Sequence, residues 1–491
     1  MVRRRTEVSA RVALVQLALA AVLLAFPLAR TARADAPPSD ASASSDTGGP
    51  SEAAGASDAT ATTSLAVLLQ AAEAHYPALA ADGHAIDAAR ARLDEARVSP
   101  FFQWNVTGTF TVAPSAEGTP TYSPDNQLPL DNPWRPVSGV SVEGFVPIYT
   151  FGKLKSAREA ASAGIDAAEH QHDRTLASVR YDVRRGYFAL QVSLDTLEMI
   201  TDGKSKLERA IDKLDDLLAA HDPSADPMDR YRLEAALAEV NARNSQALRL
   251  EATARAALRA LTGLDAIRVP DCPLARVEFD ASALEGHLDG AYRDRPEVGL
   301  LEAARRARRA DLTHQRARYF PDLVLVFRAA YSHGAGVTDI SNPFIHDPAN
   351  DRSLGAALAL RWSLDLWGTT ARVRRAKALL AETRAQDQHA RVGMQLEVDE
   401  AFEALEDAGR REEAWARGEL QTRRWFIATA QGYQVGTSSA KDLIDALKAY
   451  FTARFSHISA IRDYDTALAK LTRVTGRELA DAKVWGTSCA D

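Results

Sequence analysis

Four segments of the chain alternate apolar and polar residues, in two pairs set within sequence that otherwise repeats its apolar positions every three or four residues. The first puts Phe102, Trp104, Val106, Gly108, Phe110 and Val112 on one face and Gln103, Asn105, Thr107, Thr109 and Thr111 on the other. The fourth puts Leu354, Ala356, Leu358, Leu360, Trp362 and Leu364 against Gly355, Ala357, Ala359, Arg361 and Ser363. Period two predicts strands with one apolar and one wet face, at about 101–112, 138–148, 322–331 and 354–366. Segments of about 10–11 residues cross a bilayer when tilted. Four strands cannot close a barrel, and an open sheet leaves unpaired backbone in lipid. The barrel must be shared among copies of the chain.

Charges and aromatics fit that expectation. Glu143, Arg328 and Arg361 each sit away from the better apolar face of their strand, as lumen-facing charges would. Phe101 and Phe102, Tyr149 and Phe151, Tyr319 and Phe320, and Trp362 and Trp367 stand at one end of each strand, the pattern of an interfacial belt. The loops at the far end are long, with six prolines in 113–136 and Pro343 and Pro348 in 333–353.

The helical sequence states the same plan twice. A helix with a proline near its start (Pro77; Pro296) leads into two strands, a long helix, a turn and a shorter helix. Matching glycines are almost equally spaced (368 − 152 = 216; 476 − 263 = 213), which argues for duplication. The expected organisation is a first repeat over 64–268, with helices 152–220 and 228–262, a connector over 269–281, and a second repeat over 282–476, with helices 368–433 and 440–475. A tail follows over 477–491. The long helices would span ~100 Å at ~1.5 Å per residue. Leu190, Leu194 and Leu197, then Leu207, Ile211, Leu214 and Leu218, form a coiled-coil seam.

Residues 1–34 read as a secretory address: Arg3, Arg4 and Arg5, an apolar run from Val12 to Leu28, and Ala32-Arg33-Ala34 as a cleavage site. A low-complexity leader with almost nothing to bury follows over 35–63. The address holds six Arg and one Glu, so its removal takes the net charge from −7 to −12, a poor match to nucleic acid. No later stretch is apolar for long enough to form a membrane helix. Cys272 and Cys489 fit an exported protein with at most one disulfide, and paired and unpaired states both remain open.

In this order and spacing, the motifs Phe145-Val146-Pro147-Ile148-Tyr149-Thr150-Phe151-Gly152-Lys153 and Gly432-Tyr433-Gln434-Val435-Gly436-Thr437, continuing to Asp442-Leu443-Ile444-Asp445-Ala446, resemble those of the TolC-type outer-membrane efflux channels. The resemblance covers roughly Ser64 to Gly476. It implies an α+β homotrimer, with a 12-stranded barrel continuous with a periplasmic helical tunnel. It also implies docking to a periplasmic adaptor and an inner-membrane pump of RND or ABC type, for export of drugs, metals or polypeptides. By position Tyr433 corresponds to the tyrosine that helps close the periplasmic mouth, and Asp442 and Asp445 to its acidic constriction. Asp229 is the first-repeat counterpart of Asp442 (442 − 229 = 213). A ring of such carboxylates favours cations; the plainer role for Asp442 is a favourable charge in a helix's first turn. Two features depart from the family. Ser438 stands where a latching basic residue is usual, and the first turn, His221 to Pro227, holds two prolines.

An enzyme is poorly supported. The chain has no HExxH, GxSxG, phosphate-binding loop or CxxC, and no cofactor or metal site is expected. His170 and His172 are two apart in a helix and point to different faces. The rival that uses the long hairpins without a barrel is a soluble periplasmic coiled-coil adaptor or scaffold.

Overall fold

The computed structural model describes residues 63–101, 103–115, 132–222, 225–270, 272–279, 284–339, 347 and 349–479. The expected address 1–34, the leader up to residue 62, Phe102, and the tail from residue 480 with Cys489 lie outside them. Helices α1 (Leu65–His75) and α2 (Pro77–Val98) lead into strands β1 (Gln103–Pro114) and β2 (Trp134–Tyr149). Helices α3 (Lys153–Ala219) and α4 (Pro227–Thr262) follow. The order then recurs as α5 (Leu284–Asp294), α6 (Pro296–Ala317), β3 (Asp322–Gly334), β4 (Arg352–Arg361), α7 (Leu366–Gln434) and α8 (Ala440–Thr475).

Several boundaries differ from the sequence expectation. Each helix ahead of a strand pair is two helices, because Tyr76 and Arg295 precede prolines and are held in extended backbone. Strand β2 starts at Trp134 rather than about 138. Pro136 is accommodated near the strand end, opposite Val112. Strand β3 continues to Gly334 rather than 331, paired there with Val137. Strand β4 runs Arg352–Arg361 rather than 354–366. The alternation continues to Leu364, but Asp322, opposite Arg361, is the first residue of β3, so later residues have no strand to pair with. Asp365 instead caps α7, accepting from Gly368 N at 2.9 Å, and that helix begins before Gly368.

The four strands form one antiparallel sheet in the order β1-β2-β3-β4. From it descend α3, of 67 residues, and α7, of 69, each ~100 Å long. Phe151 and Gly152 take left-handed backbone and turn the chain from β2 into α3. Lys153 then fixes this junction to the next strand pair, donating to Phe320 O at 2.9 Å and pairing with Asp322 at 2.8 Å.

The large core lies midway along the helices. Leu65 and Leu68 of α1, Val183, Tyr187, Phe188 and Leu190 of α3, Leu258 of α4, Val398 and Leu405 of α7, and Leu468 and Leu471 of α8 meet there. A second core near the helix turns joins Leu207 and Leu214, Leu233, Phe426, and Leu443 and Leu447. The connector between the halves is pinned across the large core by two buried carboxylates: Asp195 accepts from Leu274 N at 2.9 Å, and Asp465 from Val277 N at 3.0 Å. Between them Arg276 lies over the Tyr464 ring at 4.2 Å and pairs with Glu412 at 2.8 Å. Cys272, in the same connector, is disulfide-bonded.

Asp465 is 0% exposed and its Oδ2 has no hydrogen-bond partner. Burial pushes its carboxyl up to about 7; the Val277 hydrogen bond and Arg276 oppose the shift, and Glu412 adds to it. A carboxyl that holds its proton more tightly when folded contributes stability at low pH, and that contribution is lost as pH rises toward the folded value. The thermal midpoint at fixed scan rate is expected to fall between pH 4 and about 7 through this group. Asp465→Asn should flatten that part of the profile, and an unaltered slope in the variant would remove Asp465 as its source.

Candidate channel site: the sheet and the helical turns

Register decides which side chains share a face of the sheet. Asn105, Glu143, Arg328 and Gly355 stand in one row, and Glu143 and Arg328 form an ion pair at 3.4 Å. Both are more than half exposed, so the pair contributes little stability, on the order of 0–1 kcal/mol. Arg361 lies on the same face, its guanidinium 4.2 Å from the centre of the Phe145 ring. The three predicted charges are therefore brought to one surface, with the Thr row of β1.

The opposite face is apolar and open. Phe110 is 77% exposed, Leu354 89% and Leu358 63%. Trp104 lies across Gly144, where a side chain would occupy the space of the indole, and reaches Phe327 at 5.7 Å between ring centres. Such a surface is stable only against apolar material. Among the described residues no strand pairs with the outer edge of β1 or β4, which offer 12 and 10 residues of backbone.

The antiparallel order sets Phe101, Tyr149, Phe320 and Trp362 at the same end of the sheet. Three of the predicted aromatics touch: Tyr149 meets Phe151 edge-on at 4.7 Å, and Phe151 stacks on Phe320 at 5.3 Å. Phe101 lies beneath Arg158 of α3, and Tyr319 shares a 2.8 Å hydrogen bond with Thr370 of α7, so both face the helices. Trp362 and Trp367 are exposed.

At the other end of the long helices the two turns are built differently. Alpha-helix α3 ends on His221, a non-glycine residue in left-handed backbone, and α4 starts on Asp226, which accepts from Met228 N at 2.9 Å ahead of Pro227. Helix α7 ends on a turn whose left-handed residue is Gly436, and α8 starts on a capping box. Ser439 Oγ accepts from Asp442 N at 3.2 Å, and Ser439 N donates back to Asp442 Oδ2 at 3.2 Å. The Ser439 hydroxyl also donates to Asp442 Oδ2 at 2.7 Å, and this bond first, the one from Ser439 N second, holds the Asp442 carboxyl below its ordinary value. Asp442 thus has the helix-start role, while it and Asp445, one turn on, remain exposed.

Tyr433 packs against the second core, and its hydroxyl is buried without a partner. Burial first, and the charge of Asp229 second, push its phenol above the ordinary value. Asp229 itself pairs with Arg232 at 2.6 Å. Sequence reasoning missed the residue that joins the turns, Lys213 of α3. Its ammonium donates to Tyr433 O at 3.2 Å and Gln434 O at 2.9 Å and lies 5.3 Å from the centre of the Tyr433 ring. A cation at carbonyls ending a helix is doubly favoured, by hydrogen bonding and by the helix dipole. The structure brings Lys213 and Asp229 to Tyr433. No group of residues that could hold a metal ion occurs among the described residues.

A family model described as "Outer membrane efflux protein" matches residues 68–264 and 288–477. The chain belongs to this family. Its members are homotrimeric outer-membrane channels that reach into the periplasm and work with an adaptor and an inner-membrane pump; they are passive conduits, not enzymes. Solved structures share the fold. A membrane protein from Pseudomonas aeruginosa is 21% identical, with a TM-score of 0.70 over 84% of this chain and 92% of that one. The outer membrane protein VceC of Vibrio cholerae is 16% identical, with 0.68 over 84% and 96%. The CmeC outer membrane channel of Campylobacter jejuni is 14% identical, with 0.67 over 92% and 96%. Comparison with curated proteins returns no match.

The two sheet faces make a paired prediction for this efflux protein. Leu358→Arg sets a charge on the apolar face, at a cost of about 2–4 kcal/mol near the bilayer midplane. It should sharply reduce outer-membrane recovery of heat-modifiable oligomer. Ala357→Arg, on the neighbouring residue and opposite face, should leave recovery near wild type. Equal recovery of the two would reject the face assignment.

Proposed function

We propose that three copies of this chain pool their strands into a 12-stranded barrel continuous with a helical tunnel. The assembly acts as the passive exit duct of a tripartite efflux or type I secretion system. The observation that carries this reading is the sheet: one charged and one apolar exposed face, with both edges open. Those edges are unpaired backbone, which hydrocarbon does not tolerate, and neighbouring copies would satisfy it. The recurrence of the six-element order in 64–268 and 282–476, joined by 269–281, supports duplication, as does the family match in two segments. Glu143, Arg328 and Arg361 would then face the lumen, and the aromatics at the sheet's lower end the membrane interface. Energy would come from an RND or ABC pump through the adaptor.

The gate is assigned to the helical turns. Lys213 and Tyr433 hold the end of α7 against α3, and Asp442 and Asp445 line the opening, where their carboxylates favour cations. A mass measurement in mild detergent should give three chains; a monomer stable in plain buffer would end the duct reading and favour a soluble scaffold. In planar bilayers, Asp442→Ala with Asp445→Ala should weaken cation selectivity and block by polyvalent cations. Unchanged block would remove the acidic constriction alone. Lys213→Met should free the end of α7 and raise single-channel conductance several-fold; wild-type conductance in that variant would show that Lys213 does not restrain the mouth.

A further inference from the structure

A cavity of about 340 Å³ lies between α3, α4 and α8, between the two cores. It exists because small residues face it. Gly203 of α3 is so closely covered by Phe451 that a Cβ there would stand 2.6 Å from the ring, and α4 contributes Ala236 and Ala247. Its floor is apolar, formed by Met199, Ile200, Leu207, Val240, Ile444 and Leu447. Sites for small molecules have this character, an apolar volume of about 300–1,000 Å³ with few polar groups at defined places, commonly between bundle helices.

The rim sets the charge of the occupant. Glu239 and Lys448 form an ion pair at 2.9 Å and so neutralise each other. Arg243, one turn further along α4, also lines the cavity and acts electrostatically on the same Glu239 carboxylate, so two cations share one anion. The rim therefore carries a net charge of one positive (Arg243 and Lys448 against Glu239), with Gln246 and Thr452 as further polar groups. An apolar molecule entering with a cationic head would meet Arg243 and Lys448. One with a carboxylate head would gain a charge-assisted hydrogen bond to a guanidinium while its tail left water.

We propose that this cavity binds an amphiphile with a single carboxylate and an apolar tail of medium fatty-acid size, its head at Arg243 and its tail along Met199, Ile200 and Leu447. The occupant would contact the α3–α4 hairpin and α8 at once, and so bias how the two halves of the helical region pack.

The test uses the full-length protein in amphipol, titrated with 11-(dansylamino)undecanoate and read by dansyl emission. Saturable binding at one probe per chain is expected. Arg243→Gln, an exposed change that leaves the core untouched, should weaken it about tenfold, the loss of one charge-assisted bond. Ala247→Phe should abolish it by filling the space. A probe of the same length with a trimethylammonium head should bind at least about tenfold more weakly, for the same reason. Non-saturating uptake, equal binding of the cationic probe, or unchanged affinity in Arg243→Gln would each overturn the proposal, whether or not Ala247→Phe assembles. If Ala247→Phe binds the probe normally but loses co-purification with an adaptor, the cavity seats a protein side chain and the proposal also fails. Channel conductance is not read in these measurements, so failure here is separate from failure of the exit-duct reading.

Discussion

Backbone hydrogen bonds at the edges of a sheet are the constraint from which the rest of this molecule follows. Water satisfies such groups without cost, but hydrocarbon cannot, and each one left unpaired there costs several kcal/mol, on the order of a whole domain's stability for a short edge. Strands β1 and β4 present 12 and 10 residues of such backbone. The apolar face beside them forbids a retreat into water, because its large side chains have nothing else to cover them. Membership of an outer-membrane family and an incomplete sheet are consistent with one requirement, which the barrel proposed above would meet: a fold finished by other copies of itself.

The same sheet dictates where the helices go. All four strand ends nearest the helices lie at one level, so the long helices leave in parallel bundles rather than fanning over the sheet. Contacts among Tyr149, Phe151 and Phe320, with Lys153 bound to Phe320 O and Asp322, tie the β2–α3 junction to the start of β3. Stability then resides far from the membrane, in the large core, where α1, the connector and four long helices converge. The sheet supplies orientation and partner choice; the helices supply most of the buried apolar surface.

The period-two alternation and the periods of three and four made the element types legible, because both arise from local geometry that each segment must satisfy on its own. The face of Glu143, Arg328 and Arg361 was legible for the same reason. Strand ends were less so: Trp362 and Leu364 continue the alternation, but a strand stops where its partner stops, and the start of β3 cannot be read from β4. Lys213, Asp195 and Asp465 were invisible for a related reason. Each acts on backbone 220, 79 and 188 residues away in the chain, and a lone Lys or Asp on a helix carries no mark of such a partner. The first-turn position of Asp442 was legible, while the capping box that joins it to Ser439 emerges only in the structure.

The two helical turns share a plan but differ in the residue that takes the left-handed backbone. The second turn places Gly436 in left-handed backbone, where glycine has no steric penalty, and its helix start is closed by a capping box. The first places His221 there, a conformation that costs a residue with a Cβ roughly 1 kcal/mol, and its second helix opens on Pro227, whose ring fixes φ. The first hairpin carries Lys213, and the second one carries the carbonyls that Lys213 holds. Charge-assisted hydrogen bonds of this kind contribute about 1.5–3 kcal/mol each. On the gate proposed above, three copies would hold six such bonds, about 9–18 kcal/mol before the bond to Gln434 O is discounted for its exposure, against the roughly 5.5 kcal/mol that moves an equilibrium from almost closed to almost open. On that reading the mouth would stay shut unaided, and opening would need a partner's binding energy to release several of these bonds at once.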